Sequence, residues 1–245
     1  MQKYIGLTLL AISLMSTPVQ AQIKFQRLDQ TVVHEIYRLR RQERNYAGCR
    51  CGCRQAKKLL AIVPNNTPSL TVSSSPGFFV HLPKIEKQYI DSPDGKLEAE
   101  FSLIAFETDE IIYQTKIAIS DSLHGEAIEG IMEINLPENI VLEVGKDYLW
   151  RFDIYCNADD PSIGIYISGI VKRVESSTKL ISELKSANPL QASVIYAKNG
   201  IWVEAISTLA QLRWESPQNL KLIAYWRSLL KSVDLEDISQ QPLLK

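Results

Sequence analysis

Four cysteines and three histidines are the residues of this chain best suited to nucleophilic or metal chemistry. Cys49, Cys51 and Cys53 alternate with Arg50 and Gly52, and Cys156 stands far downstream. Thiolates at that spacing suit Cu(I) or zinc, but a closed zinc site needs four ligands, and only His34 lies near the cluster. No metal is expected. His34, His81 and His124 fall in a basic segment, a strand end and a glycine-containing loop, and none has a Ser or Cys partner at an activated position. Asp159 and Asp160, ahead of Pro161, bring too few oxygens for a calcium site and read as a turn. Acid pairs such as Asp109-Glu110 become catalytic only through their separation in space, which sequence does not give. No glycine-rich loop is built to cradle phosphate. No catalytic residue and no cofactor is therefore assigned. An enzyme with an unrecognised site ranks third, behind two binding roles.

Disulfide formation is the other use for these thiols, and it needs an oxidising compartment. Residues 1–21 have the layout of a secretory signal. Lys3 is the positive end, Tyr4 to Met15 the apolar run, and Val19-Gln20-Ala21 the small-residue cleavage pattern. That run is too short for a comfortable membrane span, and no later segment is apolar enough for one. The expected location is periplasmic or extracellular. Cys156 ends the apolar face of a strand, so one of the three clustered cysteines is expected to reach it; Cys53 is the preferred partner, with Cys49 and Cys51 left open.

Charge is unevenly placed. Residues 24–58 hold ten Lys or Arg against three Asp or Glu, whereas residues 59–245 are net acidic. Residues 22–57 read as a basic, solvated arm that is mobile unless it docks. Anionic surfaces or an acidic partner would suit it, and nucleic acid is not expected outside the cytoplasm.

The elements that must carry any site begin with Tyr148-Leu-Trp150-Arg-Phe152-Asp-Ile154-Tyr-Cys156, whose apolar residues recur at period two. Gly145 supplies the turn into this strand. The spacing Leu142, Gly145, Tyr148 resembles the tyrosine corner of immunoglobulin-like sandwiches, in which the ring oxygen bonds back to the preceding turn. Further short runs, at Leu59 to Val63, Leu70 to Ser73, Phe78 to Leu82, Leu97 to Leu103, Ile111 to Ile117, Ile128 to Leu136 and Ile165 to Val171, are separated by turn residues. Together they predict an immunoglobulin-like antiparallel β-sandwich over residues 58–175.

After Val174 the period becomes helical, so residues 176–245 are expected as an α-helical C-terminal extension. Ser176 or Ser177 caps a first short helix, Asn188-Pro189 opens the next, Gly200 breaks it, and Ser216-Pro217 opens the last. Tyr196, Gly200, Trp202, Ala205, Leu209, Leu212 and Pro217 resemble half of a tetratricopeptide repeat, present once where a solenoid needs about three. A helical hairpin packed on the sandwich is the plainer expectation.

Taken in order, Leu59-Leu-Ala-Ile-Val-Pro64, Gly77-Phe-Phe-Val80, Ile112-Tyr-Gln-Thr115, Leu142-Glu-Val-Gly-Lys-Asp-Tyr148, Tyr155-Cys156, Asn199-Gly200-Ile-Trp202 and Trp226 resemble an uncharacterised family of secreted cyanobacterial proteins, domain of unknown function 928. The resemblance covers roughly residues 58–240. It implies the architecture and the exported location and carries no assigned activity. It also implies one cysteine ahead of the first strand, where this chain has three.

Two roles follow. The first is a non-enzymatic interaction or adaptor module of the cell envelope, with an exported protein partner met by the basic arm or by the helical tail through Trp202 and Trp226. The second is a carbohydrate- or cell-wall-binding module in which Tyr113, Tyr155 and Tyr166 stack on sugar rings.

Overall fold

A computed structural model describes residues 22–26, 59–65, 67–84, 97–119, 129–155 and 164–244. The strands are β1 (Leu60–Ala61), β2 (Ser69–Thr71), β3 (Gly77–Leu82), β4 (Glu98–Ala105), β5 (Ile111–Ala118), β6 (Gly130–Asn135), β7 (Asp147–Tyr155) and β8 (Gly164–Arg173). Four helices follow: α1 (Thr178–Leu184), α2 (Pro189–Lys198), α3 (Trp202–Glu215) and α4 (Leu220–Lys231), then a 3-10 turn at Glu236–Ile238. The strands form a three-stranded sheet ordered β1-β3-β6 and a five-stranded sheet ordered β2-β8-β7-β4-β5. The chain is β-rich with a helical end.

The alternation in β7 does what its period requires: Tyr148, Trp150, Phe152 and Ile154 are all buried. Phe78 of β3 meets Phe101 of β4 at 5.0 Å and Trp150 of β7 at 5.6 Å between ring centroids, so the two sheets face each other through aromatic side chains. Across from Trp150 in the ladder stands Gly169 of β8, where an added Cβ would lie 2.5 to 2.7 Å from indole atoms. Glycine is required there by volume. The turn into β7 is tied down as its spacing predicts. The Tyr148 hydroxyl accepts the Glu143 N–H at 3.0 Å, and Gly145, at φ 84°, donates its N–H to Arg173 O at 2.7 Å.

One pairing departs from an all-antiparallel reading. β2 runs parallel to β8, with Ser69, Leu70 and Thr71 beside Val171, Lys172 and Arg173. The chain crosses from the small sheet to the large one between β1 and β2, and Pro64 and Pro68 occupy that crossing.

Helix boundaries follow local capping chemistry. The Ser177 hydroxyl accepts the Leu180 N–H at the start of α1, and Asn188 with Gln191 forms a reciprocal capping box with Pro189 in the first turn of α2. Gly200, at φ 74°, ends that helix region. The start of α4 differs from the Ser216-Pro217 expectation. Residues 216–219 form a turn closed by Asn219 N–H to Ser216 O, and the Asn219 side chain caps Lys221 and Leu222. Ser216 and Asn219 both carry capping side chains, and Asn219 takes the role by accepting from two free N–H groups.

The helical layer shares one continuous core with both sheets. Trp202 donates its indole N–H to Ile62 O at 3.0 Å, and Ser193 of α2 donates to Ala205 O of α3 at 2.7 Å. Residues 22–26, where the basic segment begins, are docked on this layer. Ile23 and Phe25 are buried while Gln22, Lys24 and Gln26 point out. Their backbone N–H groups reach the hydroxyls of Ser228 on α4 and of Ser232 at its C-cap, one turn apart, and Gln26 N–H reaches Ala197 O. The Phe25 ring stands edge-on to Trp202 at 5.2 Å.

Candidate functional site

The four cysteines, His34, His124 and the Asp159-Asp160 loop lie outside the described residues. Among the described residues no three His, Cys, Asp or Glu side chains converge as metal ligands, and no helix is long and apolar enough to cross a membrane. His81 is buried in β3, and Asp109 and Glu110 lie exposed in the turn between β4 and β5. A cleft bounded by Ile62, Phe78, Trp150, Val171, Trp202 and Ile206 is narrow and apolar; its walls belong to the core.

Trp202 and Trp226 do not form a partner surface. They are 1% and 0% exposed. An amphipathic helix pattern places tryptophan on the apolar face, and that face is spent on the sheet and on residues 22–26. Both rings hold the helical layer in place.

The outer face of the five-stranded sheet is built in rows across β5, β4, β7 and β8. Ladder register places Gln114, Ser102, Arg151 and Ser168 in one row, and Lys116, Glu100, Asp153 and Tyr166 in the next. Gln114 donates to Glu100 at 2.8 Å, Tyr155 donates to the same carboxylate at 3.0 Å, and Arg151 holds Asp153 while lying 4.0 Å over the Tyr166 ring. Burial pushes Asp153 upward despite Arg151, and burial with the Glu100 hydrogen bond pushes Tyr155 up to about 12. Tyr155 and Tyr166 therefore share this face, whereas Tyr113 pairs with Leu103 and packs against the core. A third row is apolar: Ile111, Ile104, Leu149 and Ile170. Exposure rises along it, from buried Ile170 through half-buried Leu149 and Ile104 to Ile111 at 54%.

That row ends at a sheet edge, and edges are where unpaired N–H and C=O groups invite partners. Among the described residues, three of the four edges are short or covered. β1 has only two residues. Residues 242–244 close β6: Ile131 N–H donates to Pro242 O and Leu244 N–H to Ile131 O, with Leu243 in a parallel bridge. Beside β2, the Glu204 carboxylate of α3 accepts Thr71 Oγ1, Val72 N–H and Ser73 N–H at 2.7 to 2.9 Å. The fourth edge, β5, is eight residues long, has no proline and pairs only with β4 among the described residues.

The direction of the free groups follows from one bond. Ile119 N–H donates to Leu97 O at 3.1 Å, so the two-residue repeat makes Ala99:Ile117, Phe101:Thr115 and Leu103:Tyr113 the hydrogen-bonded pairs. The backbone groups of Gln114, Lys116 and Ala118 then point away from β4. Ile111 and Ile112 are both exposed at one end, beside a β-bulge, and Lys116 is the one charge in the strand. The sequence shows β5 as a strand; its place at the rim depends on distant pairings that no local pattern carries.

Two sheets and a helical end define the class: a β-rich protein whose helices share the core of its strands. The family model described as Domain of Unknown Function (DUF928) matches residues 39–243, and the chain belongs to that family. No curated protein matches the chain.

Proposed function

We propose that the protein is a non-enzymatic interaction module of the cell envelope, exported through residues 1–21, which engages an exported protein partner by strand addition along β5. One observation carries this reading: β5 is the long edge that nothing among the described residues covers, and it displays Ile111 and Ile112. Main-chain bonds to an added strand supply affinity, and side chains at alternate positions supply selectivity.

Lys116→Pro is the sharpest test. Its N–H points away from β4, so proline removes a group on the open edge without removing a β4–β5 ladder bond. The lost Lys116–Glu98 pair is exposed on both sides and contributes under about 1 kcal/mol. Capture of partners from envelope extract by the mature chain should fall sharply in the variant while its melting temperature stays close to the parent's. Equal capture by both proteins would overturn the reading.

Support for the finer architecture comes from strand order. The three-stranded sheet and the β8-β7-β4-β5 run, with the Tyr148 corner opening β7, fit an immunoglobulin-like arrangement. The adjoining helices α2 and α3, around Gly200, fit a single tetratricopeptide-like hairpin. The proposal keeps a disulfide between Cys53 and Cys156, read out by intact mass with and without alkylation.

Glycan binding is the second reading, favoured by Tyr155 and Tyr166 sharing an open sheet face with Gln114, Glu100 and Arg151. Polysaccharide in a native gel should then retard the chain, and a Tyr155→Ala variant should run freely. Unchanged migration of the parent chain would rule this reading out.

A further inference from the structure

The edge of β5 matches itself. We propose that it pairs antiparallel with β5 of a second copy of this chain, about a two-fold axis at Thr115, which joins two five-stranded sheets into one. The inference rests on the reading of β5 as the docking edge and names its occupant.

Geometry limits the registers. In an antiparallel pair, hydrogen-bonded positions must both turn their backbone groups outward, which here restricts them to Gln114, Lys116 and Ala118; Ile112 is the extra residue of the bulge and lies beyond that repeat. With the axis at Lys116, the two ammonium groups would stand directly opposite each other, which is destabilising. With the axis at Gln114, each Lys116 would fall at the bulged residue Ile112, with its charge against an exposed apolar side chain. With the axis at Thr115, Gln114 faces Lys116, Tyr113 faces Ile117, Thr115 faces Thr115, and Ala118 falls at the bulged, apolar Ile112. Every apolar residue then meets an apolar residue, the cation meets an amide oxygen, and a threonine pair sits at the close, non-hydrogen-bonded position. The one charge that ordinarily guards an edge is accommodated in this register.

The sequence of β5 therefore disfavours one self-pairing, tolerates a second and satisfies a third. The contact is isologous, with the same surface used on both copies, so it closes at two and does not propagate into a filament. The two Ile111 side chains, 54% exposed in the single chain, come to lie at opposite ends of the new ladder.

The experiment uses the purified mature chain with no other protein present. Sedimentation velocity over a concentration series should show a monomer–dimer equilibrium. Lys116→Pro and, independently, Ile112→Glu should weaken association by about tenfold or more, since each blocks or charges the open edge. Register is read by single substitutions Gln114→Cys, Thr115→Cys and Lys116→Cys under copper-phenanthroline oxidation. Thr115→Cys should cross-link fastest, above the background of the unsubstituted chain, because that pair brings the Cα atoms to about 4.5 Å. A chain that stays monomeric at every concentration overturns the inference. If Lys116→Pro then still abolishes capture from envelope extract, β5 remains the docking edge for a different protein. If it does not, both readings fail. Fastest cross-linking at position 114 or 116 overturns the register.

Discussion

Trp202→Ala is expected to cost about 4 kcal/mol or more, enough to unfold many domains of this size at physiological temperature. Three separate parts of the chain meet on this one side chain. Its N–H is bonded to Ile62 O beyond β1, its ring meets Phe25 of the docked segment, and its first-turn position starts α3. Truncation leaves a cavity at the junction of both sheets with the helical layer, and leaves a buried carbonyl without its donor. Trp202→Phe separates the terms. It keeps a six-membered ring in the site and loses the indole N–H with three ring atoms, so it should cost about 2 kcal/mol, clearly less than the alanine variant. Urea denaturation of the three proteins checks this. Equal losses for Ala and Phe would mean that the hydrogen bond, not packing, dominates.

The second large effect is a pH dependence seated between sheet and helices. Glu133 on β6 is pushed up to about 7 by burial, with the Ser207 hydroxyl of α3 nearby pulling the other way, and its carboxylate lies close over Gly77, where a Cβ would oblige it to shift. Glu204, held by Thr71, Val72 and Ser73, is raised as well, because burial outweighs those hydrogen bonds. A carboxyl group that keeps its proton longer in the folded chain adds stability that is complete below its unfolded pKa and lost as pH rises through the folded one. For Glu133 that window runs from about 4.5 to about 7. The full shift implies roughly 3 kcal/mol, and partial contact with water reduces this to about 2. Stability measured by denaturant should therefore decline between pH 4.5 and 7. Glu133→Gln should remove much of that slope and raise stability at pH 8. Glu236 has the opposite sign, since Arg227 and Lys231 hold its pKa down, but it lies at the surface, partly open to water, and acts at lower pH. An unchanged slope in the variant would place the effect on Glu204 or Asp153 instead.

Local patterns were legible wherever they decide structure on their own. The alternation of β7, the Asn188-Pro189 helix start and the Leu142–Tyr148 turn are visible as residue types at fixed spacings, and each forms as those spacings require. The parallel pairing of β2 with β8 joins residues about a hundred positions apart, and nothing in Ser69-Leu-Thr71 encodes its direction. Trp202 and Trp226 are buried where the sequence suggests a partner surface, because a helix pattern reveals an apolar face without saying what covers it. Part of that cover is Ile23 and Phe25. Their period-two alternation around Lys24 was the available signal, and the basic residues that follow obscured it.

Docking of residues 22–26 on α4 also sets an order of events. Ile23 and Ser228 are separated by 205 positions, so the first described residues to be synthesised have no binding site until helix α4 has been made. Closure of β6 by residues 242–244 waits longer still. Contacts of such separation are slow to form, because the intervening chain must be confined before they yield any stabilisation. Through most of its synthesis the chain therefore carries an undocked Ile23–Phe25 segment and an open β6 edge, both prone to aggregation. A chain truncated before Ser228 would keep both. The fold thus ties both residues 22–26 and the β6 edge to completion of the helical layer.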